Sequence, residues 1–359
     1  MFYVPRFFHS QHESLAGLDI EASEIRMVEL SRSHNGIVHL ECAAAEPLPQ
    51  GAIVDQRISN PEQVVLALKR LWKTSRTRTT RVAMGLPANA IISRKIRLPA
   101  GLTEEHMELQ VENEAHRFLP FGPEEICLDF EVSAAAPDAN GECEIKLAAA
   151  RREQVAERTA LARAANLDAV IVDCDSYAAL NALMRLPAAM RQPKAERHPT
   201  VLLQLGSHSA QILLLQGESI LHERELEISS AHLTRQLMER YGYLHHEARL
   251  GQTTNVLPDD YENALLQPFI ALAAREVRQA LQLCENATGS QSIQRIFLAG
   301  ETATLPGMAT AMSDSCGIPA ALVDPFEGML TRSSTVIPAA HEQASAYLVA
   351  CGLALRRFD

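Results

Sequence analysis

The stretch that decides the fold is GLDIEASEIRMVEL, which runs from Gly17 to Leu30. The apolar residues before Asp19 and after Ser23 predict two strands joined by a tight turn. Backbone N–H groups in such a turn suit phosphate oxygens when the turn residues are small. Glu21 departs from this pattern, because it places a carboxylate where a phosphate would lie.

The same pattern returns in TVLLQLGSHSAQILLLQG, residues 200–217, with Gln204 at the position of Asp19. Gly206 and Ser207 then form the second turn. Asn35-Gly36 and Gln216-Gly217 mark the next hairpin in each copy. One internal repeat across a long chain predicts two similar α/β lobes.

A third unit, IQRIFLAGETATLPGM, reads as a strand, a polar turn at Gly300, Glu301 and Thr302, and a helix opened by Pro306. Three such units in this order are typical of the actin and sugar-kinase ATPase group. In that group two hairpin turns grip phosphates from opposite lobes, and the third turn holds the adenosine side. The predicted fold class is therefore α/β, actin-like and two-lobed.

Composition argues against several other classes of protein. The formal net charge of −11 disfavours nucleic-acid binding, and the seven cysteines contain no CxxC pair, which favours free thiols. The longest stretch without charge, 199–217, has a polar centre, so no membrane span is expected. His245-His246 lacks a third ligand at useful spacing, and no catalytic triad motif is present, so no metal or catalytic residue is predicted.

The middle of the chain indicates one family within this fold class. The segments RKIRLPAGLTEEHMELQVENEAHRFLPFGPEEICLDFEV and VDCDSYAALNAL closely resemble the type IV pilus assembly family PilM, which is related to the division protein FtsA. The resemblance implies an extra α+β subdomain of the FtsA/PilM type. The predicted divisions are 14–81 and 153–198 for the first lobe, 82–152 for the extra subdomain, 199–340 for the second lobe, and 341–359 for a helix returning to the first lobe.

The resemblance also implies partners. A PilM-like protein would be cytoplasmic and attached to the inner membrane by gripping the N-terminal tail of PilN, with PilO and the assembly ATPases nearby. The grip would lie between the first lobe and the extra subdomain. Candidate contact residues are Arg94, Ile96, Leu98, Met107, Val111 and Phe118. Self-association is left open.

The family resemblance further implies ATP and Mg²⁺ at the three turns. The positions concerned are Asp19, Glu21 and Ser23 in the first turn, Gln204, Gly206 and Ser207 in the second, and Gly300, Glu301 and Thr302 in the third. Glu21 adds negative charge, Gln204 removes a carboxylate that would help to hold the Mg²⁺ shell, and Glu301 replaces a glycine. We expect nucleotide binding to be weak or absent.

Other readings stay open at this point. The chain could be a PilM whose nucleotide state regulates pilus assembly, or an active ATPase or sugar-type kinase. It could also be an FtsA-like division protein or a secretion-system scaffold. Each of the last two would be expected to carry a membrane element, and none is expected here.

Overall fold

The computed structural model describes residues 2–3, 14–33, 35–54, 56–132, 141–187, 198–254, 256–287, 292–336 and 341–358. These residues form two lobes with a small subdomain inserted into the first. The sequence also predicts a turn-rich loop at 136–142 and a proline- and charge-rich crossing between the lobes at 186–199, and most residues of both lie outside the described ranges.

The first lobe is built on a seven-stranded sheet. Its strands in spatial order are β1 (Phe2–Tyr3), β11 (Asp168–Cys174), β7 (Arg81–Leu86), β2 (Ala16–Ile20), β3 (Glu24–Arg32), β4 (Val38–Pro47) and β17 (Leu330–Val336). A short hairpin, β5 (Ile53–Val54) and β6 (Arg57–Ile58), lies beside it. The β2–β3 and β3–β4 pairs are antiparallel, as the quoted stretch and the Asn35-Gly36 turn predict.

The second lobe is built on a five-stranded sheet. Its spatial order is β14 (Ser219–Leu226), β13 (Ala210–Gln216), β12 (Thr200–Leu205), β15 (Ile296–Ala299) and β16 (Ala320–Leu322). This order repeats β4-β3-β2-β7-β11 of the first lobe. Asp19 and Gln204 are each the second-last residue of the corresponding strand. The internal repeat predicted from the sequence is confirmed.

The helices flank the two sheets. Around the first lobe they are α1 (Pro61–Ser75), α3 (Arg152–Ala164) and α4 (Asp175–Arg185); around the second, α5 (Ser230–Tyr241), α6 (His245–Thr254), α7 (Gln267–Ala287) and α8 (Met308–Cys316). Asn60 caps α1 by accepting a hydrogen bond from the backbone N–H of Gln63, and Gly242 ends α5 in the left-handed conformation. The sequence predicts both caps, because Asn60 precedes Pro61 and Glu62 and because Gly242 follows the helix predicted at about 230–241.

The inserted subdomain combines β8 (Ile91–Pro99), β9 (Ile126–Val132) and β10 (Glu142–Arg151) with α2 (Glu104–Ala115). Its sheet has the order β8-β10-β9, and α2 covers one face. Met107 and Val111 from α2 are buried against Ile145 and Leu147 of β10. The subdomain therefore has an apolar core of its own.

The final helix, α9 (Leu348–Leu355), is buried in the first lobe between β2 and α4. Gly17 permits this packing, because a Cβ there would lie 2.0 Å from the carbonyl oxygen of Ala350. Among the described residues, no helix is both long and apolar enough to cross a membrane.

Several elements differ from the sequence-based predictions, and the short strands β1, β5 and β6 are among those that were not predicted. Helices α4 and α6 and strand β17 were not predicted, and β17 joins the sheet of the first lobe although it lies within 199–340. Helix α8 begins at Met308 rather than Pro306, because Gly307 adopts a positive φ of 84° just before it. The helix predicted at 341–356 is a 3₁₀ segment over His341–Tyr347 followed by α9.

Candidate functional site

The three predicted turns meet in the cleft between the lobes. Thr302 donates a hydrogen bond from Oγ1 to the carbonyl oxygen of Gly206 at 2.7 Å, which joins the third turn to the second. Ser23 donates from Oγ to Glu301 at 3.1 Å, which joins the first turn to the third. Gly300 has a φ of 95°, and a Cβ there would lie 2.3 Å from the carbonyl oxygen of Leu205. The structure thus brings the predicted turn residues together, and glycine is required at position 300.

Glu21 faces the second turn across the cleft. A Cβ added to Gly206 would lie 3.6 Å from Oε2 of Glu21, and Oε1 is 3.4 Å from Nη1 of Arg26. The carboxylate therefore occupies the space between the two hairpin turns instead of pointing away from it.

Arg26 is the principal site residue that sequence reasoning missed. It lies on β3 directly opposite Asp19, and its side chain has no solvent exposure. Its guanidinium contacts Glu24 at 2.5 Å and Glu301 at 3.1 Å, as well as Glu21. The signal was present in the sequence, because an arginine within an apolar strand, paired across the hairpin with an aspartate, predicts a buried ion pair.

Glu301 accepts hydrogen bonds from both lobes. Besides Ser23 and Arg26 of the first lobe, Ser230 at the start of α5 donates at 3.1 Å, and Arg249 of α6 donates from Nη1 at 3.1 Å and Nη2 at 3.5 Å. The residue that replaces a small turn residue is thus the centre of a network that joins the two lobes. No sequence pattern pointed to Arg249, because α6 itself was not predicted.

The carboxylates around Arg26 differ in the direction in which their pKa values are shifted. Burial raises the pKa of Asp19 well above its usual value, and the nearby Glu21 raises it further. Burial also raises the pKa of Glu21, which Arg26 partly offsets. For Glu301, burial acts in the same direction, but Arg249 and Arg26 outweigh it and lower the pKa. Of Asp19, Glu21 and Glu301, Glu301 is therefore the one whose ionised form the surrounding groups favour.

A cavity of about 370 Å³ opens beside the first two turns. Gln204 lines it and donates to Gln211 at 3.1 Å, so the carboxylate missing at this position is replaced by an amide pair. Oδ1 of Asp175 and Nη1 of Arg158, both on its wall, are buried without a hydrogen-bond partner among the described residues. Within the same residues, no three His, Cys, Asp or Glu side chains are grouped to hold a metal ion.

A second cavity, of about 1120 Å³, lies on the other side of the turns. His245 and His246 line it together with Arg249 and His232. Burial lowers the pKa of His245, and the neighbouring Arg249 lowers it further. The histidine pair therefore belongs to a cavity wall in the second lobe.

A separate groove of about 470 Å³ runs between the first lobe and the inserted subdomain. The first lobe contributes Ile58 and Pro87, and the subdomain contributes Phe121 and Ile126. Phe121 is half-buried, and the guanidinium of Arg151 lies 4.2 Å from its ring centroid. This groove combines an apolar floor with charged residues at its rim.

The predicted partner-contact residues lie in two environments. Leu98, Met107 and Val111 are buried in the subdomain core, so their side chains do not reach the surface. Arg94 is exposed and lies 4.5 Å from the ring centroid of the half-buried Phe118. None of the six residues Arg94, Ile96, Leu98, Met107, Val111 and Phe118 lines the groove.

These features define an actin-like protein: it has two repeated lobes, three turns that meet in the cleft between them, and a subdomain inserted into the first lobe. Residues 17–358 match the family model described as Type IV pilus assembly protein PilM, so the chain belongs to the PilM family.

Solved structures agree with this assignment. A chain of a PilM-PilN type IV pilus biogenesis complex is 26% identical, with a TM-score of 0.78, and the match covers 96% of this chain and 98% of that chain. The ethanolamine utilization protein EutJ from Carboxydothermus hydrogenoformans is 12% identical with a TM-score of 0.55, over 99% and 92% of the two chains. A diol dehydratase-reactivating factor in nucleotide-free form is 10% identical with a TM-score of 0.52, over 97% and 100%. The last two likenesses concern the fold alone.

Proposed function

We propose that this protein is an adaptor of the type IV pilus machinery that holds the N-terminal tail of PilN in the groove between its first lobe and the inserted subdomain. The groove is the observation that carries the proposal. The similarity to a chain from a PilM-PilN complex supports it. Attachment to PilN would place the protein at the inner membrane, near PilO and the assembly ATPases.

The groove suits an extended peptide segment. Ile58, Pro87 and Ile126 offer apolar contacts, while Arg57, Arg151 and Glu153 supply charge at the rim. Extended segments bind by alternating side-chain anchors, with backbone hydrogen bonds adding affinity. Phe121 is the aromatic residue most suited to act as an anchor, because its ring is half-buried and lines the groove.

Calorimetric titration with a synthetic peptide of the PilN N-terminus tests this proposal. We expect saturable binding with a negative heat-capacity change, because apolar surface is buried. Phe121→Ala should weaken binding by about tenfold or more, the loss typical of an anchor residue.

Phe118→Ala is the matched comparison, since Phe118 is also half-buried beneath an arginine but lies outside the groove. It should leave the affinity within about twofold of the wild type, the range of a residue that makes no contact. A loss confined to Phe118→Ala would move the partner to the other face of the subdomain. Absence of binding by folded protein would reject peptide capture.

We further propose that the cleft no longer serves ATP. Glu21 faces the second turn, and a carboxylate about 4 Å from a phosphate charge repels it by roughly 4 kcal/mol at an effective dielectric of ~20. That repulsion corresponds to about a thousandfold loss of affinity. Glu301 adds a second charge at the third turn. The residues of the cleft therefore do not fit a nucleotide.

Titration with fluorescent ATP and magnesium tests the loss of nucleotide binding. The wild type should show no saturable binding in the micromolar range, whereas Glu21→Gly with Gln204→Asp should regain part of the affinity. Adding Glu301→Gly should increase it further, because the second charge is removed. Micromolar binding by the wild type would return ATP as the expected ligand and favour a nucleotide-regulated PilM.

A further inference from the structure

The carboxylate of Glu301 is surrounded by hydrogen-bond donors from both lobes. Ser23 and Arg26 contribute from the first lobe, and Ser230 and Arg249 from the second, with four of the five contacts at 3.1 Å. The fifth, from Nη2 of Arg249, is 3.5 Å. These donors belong to the first turn, to β3, to α5 and to α6.

This set of donors has the chemistry of an oxyanion site. A guanidinium only donates hydrogen bonds, and the two serine hydroxyls donate here as well. Charge-assisted bonds from arginine to an oxyanion are among the strongest in proteins. Arg26 is fully buried and the Glu301 side chain is only 16% exposed, so the carboxylate itself is largely shielded from water, while Arg249 borders the second cavity.

We propose that Ser23, Arg26, Ser230 and Arg249 form an oxyanion-binding site across the lobes, and that the carboxylate of Glu301 fills it as an internal ligand. The two lobes are thereby held together without a bound phosphate compound. A free oxyanion has to displace a group attached to the same chain, whose effective concentration is in the millimolar range or above. The wild type is therefore insensitive to added anions at this site. The proposal does not depend on PilN or on the peptide groove.

Chemical rescue of Glu301→Ala tests the proposal. The variant should melt several degrees below the wild type, because two guanidiniums lose a buried partner. Sodium acetate, which supplies the missing carboxylate, and inorganic phosphate should each restore part of the melting temperature in a saturable manner. Sodium chloride at equal ionic strength should restore much less. The wild type should not respond to either oxyanion.

Two further variants serve as controls. Glu227→Ala removes an exposed glutamate from the wall of the neighbouring cavity and should neither lower the melting temperature nor create a response to acetate. Glu301→Ala combined with Arg249→Gln should lose most of the rescue, and Arg249 is 31% exposed, so this change is compatible with folding.

Small-angle X-ray scattering measures independently whether the two lobes stay together. The radius of gyration of Glu301→Ala should exceed that of the wild type and should decrease when phosphate is added. Equal stabilisation of wild type and variant by anions would overturn the proposal, as would a Glu301→Ala variant as stable as the wild type.

If Glu301→Ala does not fold, Glu301→Gln keeps the shape of the side chain but removes its charge. It should be less stable than the wild type at neutral pH, and equal stability would likewise overturn the proposal.

Discussion

Asp175 shows how burial in the cleft shifts the pKa of a single carboxyl group. It is the first residue of α4, and Gly85 on β7 makes room for it, since a Cβ there would lie 1.7 Å from its Oδ1. Burial raises the pKa of Asp175 to about 7, against the opposing effect of Arg158 and with a further rise from Glu21. The carboxyl group therefore holds its proton in the folded protein up to nearly neutral pH.

This raised pKa predicts how stability changes with pH. Between the unfolded pKa of about 3.9 and the folded value, the unfolded chain loses the proton while the folded protein keeps it, so stability falls as pH rises. Asp175→Asn should remove this contribution, which has an upper limit of about 4 kcal/mol. Denaturant unfolding at pH 5 and pH 8 should show a smaller fall for Asp175→Asn than for the wild type.

Asp259→Asn, at an exposed position of the second lobe, provides the comparison. It should reproduce the wild-type fall in stability. An equal fall in Asp175→Asn would show that Asp175 is ionised in the folded protein throughout this range.

Single residues also show which parts of the cleft could be predicted from the sequence. Ser23, Gly206 and Gly300 lie in the turns where the sequence predicts them, because turns have local signatures. Asp19, assigned to the first turn, instead lies in β2, one residue before the strand ends. Arg26 could have been found from its position opposite Asp19 on a short hairpin. The contacts that Glu301 makes with Ser230 and Arg249 could not have been predicted, because they join segments distant in sequence through packing of the lobes.

At the scale of elements, predictions succeeded where a strong local signal existed. The hairpins, the Asn60 cap and the Gly242 stop follow from local chemistry. Helix α4 was missed because it begins directly after β11 without a polar linker. Strand β17 was missed because its position beside β4 depends on the return of the chain to the first lobe.

Two residues of helix α2 test which side of this helix packs in the core of the inserted subdomain. Met107 is 8% exposed and packs in the subdomain core, whereas Leu109 on the same helix is 53% exposed. Met107→Ala should lower the free energy of unfolding by about 2 kcal/mol or somewhat more, from lost burial and the cavity left behind. Leu109→Ala should change it by less than about 0.5 kcal/mol.

Thermal unfolding of both variants, followed by circular dichroism, measures the difference. If Met107→Ala were neutral and Leu109→Ala destabilising, the side of α2 assigned to the core would be wrong. If Met107→Ala kept full stability but lost peptide binding, Met107 would return as a partner contact.

At the scale of the whole molecule, the two main features lie in different places. The cleft between the lobes contains Glu21, Arg26 and Glu301, while the groove lies between the first lobe and the inserted subdomain. Hydrogen bonds and ion pairs of Glu301 join the two lobes across the cleft, and we propose that the groove therefore keeps its shape without a nucleotide. The two-lobed fold was predictable from the internal repeat, but the closing of the cleft by Glu301 was not.

Calorimetry can measure the affinity of the PilN N-terminal peptide with and without saturating Mg·ATP. This comparison tests whether the groove binds PilN independently of any nucleotide in the cleft. We expect binding by nucleotide-free protein, with a dissociation constant unchanged by Mg·ATP within about twofold, since a ligand that does not bind cannot shift an equilibrium. Peptide binding that appears only with Mg·ATP, or that strengthens about tenfold or more with it, would show instead that a nucleotide in the cleft still controls the groove.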